Sequence, residues 1–123
     1  MVVWWGSTVE CWSAFARLRR EGVFQRRDEA QARLLLAHLA TAWTEVLPSQ
    51  AVRAHAAHAL HEHPLRAADA LQLAAALVWA QGQPIGHPFV CLDHRLRAAA
   101  QREGFFLLPS AASLQMPPLP QHF

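Results

Sequence analysis

The sequence predicts an α/β domain built on a parallel sheet. Three observations lead there. Four short runs, VVWW, TEVLPS, FVCLD and FFLLP, are spread along the chain, mostly apolar with β-branched or aromatic residues. Helical patterns, mostly amphipathic, fill the intervals between them. Capping residues, glycines and prolines punctuate the junctions. The length of 123 residues suits one domain. With 53% hydrophobic and 16% charged residues, the chain supports a buried core and does not read as disordered.

The elements follow in order. Val2 to Trp5 form a buried strand closed by Gly6. In STVE, Ser7 stands at a helix N-cap with Glu10 three residues on, the spacing of a capping box. That helix runs to about Glu21 and stops at Gly22, with Val9, Trp12, Phe15 and Ala16 on its apolar side and Arg17, Arg19 and Arg20 in its last turn. A second amphipathic helix covers roughly Asp28 to Ala42. A brief strand in TEVLPS stops at Pro48, and Ser49 caps a third helix through about Glu62. Pro64 opens a fourth helix that starts at Leu65 and ends near Gly82. Phe89 to Asp93 form a buried strand ending in an acid. HRLRAAAQREG is a helix stopped at Gly104, and FFLLP is the last strand. Residues 110–123 carry three prolines near their end and read as a tail of little structure.

Composition bounds the function classes. All 11 cations are arginine, and nine acids leave a net charge of +2. That small excess permits a polyanionic partner without requiring one. No apolar run is long enough to span a bilayer, and MVVWWGSTVE has no basic leader region, so a cytoplasmic protein is expected. Cys11 and Cys91 lie in apolar segments and read as small buried hydrophobes. The five tryptophans, Trp4, Trp5, Trp12, Trp43 and Trp79, are expected in the core. His55, His58 and His61 recur at i, i+3 and i+6 and are expected on a solvated face. Phosphate-cradling glycine loops, HExxH and paired CxxC motifs are absent from the sequence.

Three acids stand out. Parallel sheets bind ligands at the carboxyl ends of their strands. Asp93 falls at a strand end, and Glu10 lies one turn into the helix after a strand. Each also has a structural explanation, Glu10 in a capping box and Asp93 as an N-cap. Asp69 lies in HPLRAADALQLAAALVWAQG, where only it and Gln72 interrupt the apolar stretch from Ala67 to Ala80. Placed on the second turn of a helix buried nearly all round, it needs a cation or strong donors nearby. Arg66, at i−3, offers a surface pair; a divalent metal is the other candidate.

The order of these pieces resembles a PIN domain, and within that family the VapC-type toxin ribonucleases of bacterial toxin–antitoxin pairs. STVECWSAFARLRREG resembles the helix bearing a metal-binding Glu, matching Glu10. HPLRAADALQLAAAL resembles the helix with an Asp-Ala-Leu core, matching Asp69. FVCLDHRLRAAAQREGFFLLP resembles the closing strand–Asp–helix–strand, matching Asp93. The resemblance spans about Val2 to Pro109 and implies a PIN-like domain over residues 1–109 with a proline-containing tail over 110–123. The implied fold is a three-layer α/β/α sandwich with a parallel sheet. The family begins with a central strand holding a further Asp, and no Asp precedes Asp28 here. The expectation is a start assigned too late, with a degenerate or truncated copy as the alternative, and poor solubility for residues 1–123 alone.

The resemblance further implies an endoribonuclease that hydrolyses RNA phosphodiester bonds with Mg²⁺ or Mn²⁺. Glu10, Asp69 and Asp93 would be its catalytic and metal-binding residues, and Arg66 and Arg95 candidate phosphate contacts. The implied partners are RNA, a cognate antitoxin protein and a second copy in a homodimer, with no membrane. The alternative is a catalytically impaired PIN-like module that only binds an antitoxin or dimerises.

Overall fold

Residues 1–114 are described by the computed structural model. The chain runs β1 (Val2–Trp4), α1 (Ser7–Arg20), α2 (Arg26–Ala40), β2 (Thr44–Val46), α3 (Gln50–Glu62), α4 (Ala67–Trp79), β3 (Pro88–Val90), α5 (His94–Glu103), β4 (Phe106–Leu108) and α6 (Ala111–Leu114). The α/β alternation and the parallel pairing hold, and α6 occupies the start of the expected tail. The remainder of that tail lies outside the described residues.

The strands do not join into one sheet among the described residues. β1 pairs with β2 in the register Val3↔Glu45, and β3 pairs with β4 in the register Phe89↔Leu107, each pair parallel. Every strand is three residues long. In the first pair the Met1 carbonyl accepts from Thr44 N–H and Trp5 N–H donates to the Val46 carbonyl. Backbone groups alternate between the two edges of a strand, so those of Val2 and Trp4 face away from β2. In the second pair, the bonds Phe106 N–H to His87 C=O and Cys91 N–H to Leu108 C=O turn Pro88 and Val90 toward the open edge.

Three helices carry the core. Val52, Ala56 and Ala59 of α3 pack with Ala70, Leu73, Ala74 and Leu77 of α4 and with Leu96, Ala99 and Ala100 of α5. Alanine at so many contact positions lets the helices approach closely. Phe89 and Phe105 close the cluster, with ring centroids 5.4 Å apart, and Trp4, Val46 and Leu107 pack against it from both strand pairs.

The helix ends follow the punctuation closely. Ser49 Oγ accepts the Val52 amide at 3.2 Å, the expected cap of α3. Gly22 and Gly104 adopt left-handed backbones (φ 82° and 112°) immediately beyond α1 and α5. At Gly104, Phe105 N–H reaches Ala100 C=O and Gly104 N–H reaches Gln101 C=O, both at 3.0 Å, a Schellman motif.

Four expectations are corrected. First, α4 begins at Ala67, because Leu65 N–H donates to the His63 carbonyl across Pro64 (2.9 Å), closing a tight turn before the helix. Asp69 therefore lies in the first turn of α4, where a carboxylate complements the helix dipole. Second, no residue of α1 is fully buried, and Val9 and Trp12 on its apolar side are exposed. Third, Trp5, Trp12 and Trp79 are exposed, while Trp4 and Trp43 are half-buried. Trp12 is instead stacked under Arg33, whose guanidinium carbon stands 4.9 Å from the ring centre. Fourth, both cysteines are free and half-buried instead of fully enclosed. His58 and His61 are exposed and His55 is half-buried. No helix among the described residues is long and apolar enough to cross a membrane.

Candidate functional site

Glu10 does not form the expected capping box. Gly6 occupies the cap position of α1, Ser7 is already helical, and Gly6 receives no side-chain cap bond. The Trp4 indole folds over Gly6 so closely that an added Cβ would meet Nε1 at 2.5 Å. The Glu10 amide donates to the Gly6 carbonyl at 3.1 Å, the first bond of the helix. Its carboxylate is thereby left to reach across to α4, where Oε2 accepts a hydrogen bond from Gln72 Nε2.

Gln72 is three residues beyond Asp69, so both lie on one face of α4. Asp69 is half-buried. Burial pushes the Glu10 carboxyl above its ordinary value, the Gln72 hydrogen bond pulls it down, and the nearby Asp69 charge raises it further. The surface pair between Asp69 and Arg66 does not form, since the two ion pairs among the described residues are Arg19–Glu29 and His63–Glu103.

Asp93 approaches from the other strand pair. It is exposed and caps α5, with Oδ2 accepting the Leu96 amide at 2.9 Å. This is the structural role that its position foretold. Next to it, Cys91 shows where the charges meet. Burial raises the Cys91 thiol above its usual value, while its hydrogen bond to the Asp93 carbonyl (3.6 Å) lowers it. The Asp93 charge raises it again, Arg97 lowers it, and Asp69 raises it. Asp69 is thus felt at Glu10 on one side and at Cys91 on the other.

The three acids share a region without forming a closed ligand shell. Among the described residues no three His, Cys, Asp or Glu side chains stand close enough to hold an ion together. The donor chemistry suits a hard divalent cation, because the groups are carboxylate oxygens and Glu10 and Asp69 repel one another. Arg66 and Arg95 are exposed, and neither makes a side-chain bond among the described residues.

Two participants escape the sequence reading. Gln72 is visible there as a polar interruption, and its i+3 spacing from Asp69 is the available signal. Arg97 is buried at 7% exposure and donates from Nη1 to the Cys91 carbonyl at 2.8 Å. Its signal is its place among Leu96, Ala99 and Ala100 on the inward side of α5.

A cavity of about 990 Å³ lies elsewhere, at the carboxyl end of α4, with Glu45, Trp79, His87 and Glu103 among its lining residues. It shares no residue with the carboxylate region. No protein-family model, curated protein or solved structure matches this chain.

Proposed function

We propose that the chain is a PIN-like, divalent-metal-dependent endoribonuclease, the toxin component of a toxin–antitoxin pair, acting in the cytoplasm on RNA. The observation that supports this reading most is the release of Glu10 from its capping role to face Asp69 and Gln72 across the α1–α4 contact. In this reading Glu10, Asp69 and Asp93 hold Mg²⁺ or Mn²⁺, directly or through water. The ion, when bound, supplies Lewis acidity toward a phosphate oxygen. Glu10, kept basic by burial and by Asp69, takes the proton of the attacking water, and Gln72 fixes the direction of its carboxylate. Asp93 positions α5 at the rim through its cap. The second layer of helices in a three-layer sandwich would cover the strand face where Val90, Phe106 and Leu108 are now exposed.

The second reading is an interaction module that binds an antitoxin or dimerises without cleaving. It is favoured by the unjoined strand pairs and by the exposed Trp5 just before α1 and Val9 and Trp12 on it. Cleavage of RNA in Mn²⁺, with Mn²⁺ affinity measured alongside, separates the two. Asp69→Asn is expected to abolish cleavage and to weaken Mn²⁺ binding by more than about tenfold. No cleavage by the wild-type chain, with Mn²⁺ affinity unchanged by Asp69→Asn, would leave only the interaction module.

A further inference from the structure

Arg97 stands one turn into α5 and is 7% exposed. A guanidinium carries five N–H donors. Its one side-chain hydrogen bond among the described residues is the 2.8 Å bond from Nη1 to the Cys91 carbonyl. No carboxylate among the described residues lies within ion-pair distance, because the two ion pairs there involve other residues. A buried cation without a counter-ion is costly. A position near the amino end of a helix adds to the cost, since that end is already positive.

The unused donors are not sealed away. Among the described residues, His63 Nδ1 is the one solvent-sealed side-chain nitrogen or oxygen left without a partner. The remaining Arg97 nitrogens therefore keep contact with solvent. Geometry places them beside Asp93: Arg97 Nη1 holds the Cys91 carbonyl, the Cys91 thiol reaches the Asp93 carbonyl at 3.6 Å, and the Arg97 amide donates to that same carbonyl at 2.9 Å.

We propose that Arg97 is the phosphate-holding residue of the carboxylate site, its free donors gripping a non-bridging oxygen of the phosphodiester on which Glu10, Asp69 and Asp93 act. This rests on the nuclease reading. Three carboxylates repel a phosphate, and a fixed cation at their edge offsets that repulsion. The planar fork of arginine suits phosphate oxygens, and the bond to Cys91 holds the fork in place before substrate arrives. Arg66 and Arg95, exposed and unbraced, offer only solvated charge.

The test uses inorganic phosphate as probe on the full wild-type chain, with the arginine Nε–H resonances followed by NMR at constant ionic strength. The Arg97 resonance is expected to shift saturably with phosphate and not with chloride. In cleavage assays Arg97→Lys is expected to raise KM by about tenfold or more, in keeping with the loss of one charge-assisted contact. Phosphate affinity is expected to disappear in Arg97→Gln. An Arg97 resonance indifferent to phosphate overturns the proposal and leaves Arg97 as a brace for the Cys91 carbonyl. So does an Arg97→Gln chain that binds phosphate like the wild type. The wild-type titration needs no variant and decides even where Arg97→Gln does not fold. Cleavage that depends on Asp69, with Arg97 untouched by phosphate, removes this assignment and keeps the nuclease. A phosphate-responsive Arg97 in a chain that cleaves no RNA keeps the anion site and removes the nuclease.

Discussion

Glu10 carries a pH dependence whose sign follows from its surroundings. Burial and the Asp69 charge hold its carboxyl above the ordinary 4.5, against the pull of Gln72. An acid whose folded pKa is raised contributes stability that is complete below the unfolded pKa and lost as pH rises through the folded one. Glu10→Gln, which keeps an acceptor for Gln72, is therefore expected to melt like the wild type near pH 4. At pH 7 it should melt a few degrees higher. Melting temperatures of both chains at the two pH values check this; a gap independent of pH would mean that ionisation of Glu10 is not the cause. The same residue shows why a capping-box spacing does not guarantee a capping box. Ser7 and Glu10 have the right separation, but the Trp4 indole over Gly6 places the helix start one residue earlier.

At the scale of the element, α4 both packs the core and presents the site. Leu73, Ala74 and Leu77 face α3 and α5, while Asp69 and Gln72 turn toward α1. Its carboxyl end is less well served. Gln81 N–H reaches Val78 C=O at 3.0 Å and Gly82 N–H reaches Leu77 C=O at 2.9 Å, which puts Gln81 at the left-handed position with φ 55°. At α1 and α5 a glycine fills that position. Gly82 comes one residue too late to relieve the strain. Gln81→Gly is expected to stabilise the fold by about 1 kcal/mol. Denaturant unfolding measures the change, and an unaltered or lower midpoint would show that Gln81 makes a compensating contact.

Among the described residues, the β1–β2 pair rests on α4 and the β3–β4 pair on α5, and neither pair is closed. Two-stranded sheets are marginal by themselves, and open edges with exposed apolar neighbours recruit other strands. The backbone edges of Val2 and Trp4 and of Pro88 and Val90 are such edges, and Ile85, Val90, Leu92 and Phe106 are exposed near the second. The chain by itself is expected to associate at concentrations of roughly micromolar and above. Light scattering across a dilution series measures this. A chain that stays monomeric throughout, with one sharp transition at high temperature, would show that the helices alone sustain the fold.

The sequence by itself determined the α/β alternation, the Ser49 cap, the glycine stops of α1 and α5, and Asp93 at the head of α5, because each depends on residues within a turn or two of one another. It also placed Asp69 on a helix, though a turn too deep, since the tight turn at Pro64 delays the start. Tertiary structure decided the rest. Whether four strands form one sheet or two depends on long-range backbone pairing, which apolar runs alone do not encode. The Glu10–Gln72 bond joins residues 62 positions apart. The burial of Arg97 against Cys91 depends on how α5 folds back on β3, so a residue that looks like one more surface cation became an enclosed one held on the Cys91 carbonyl.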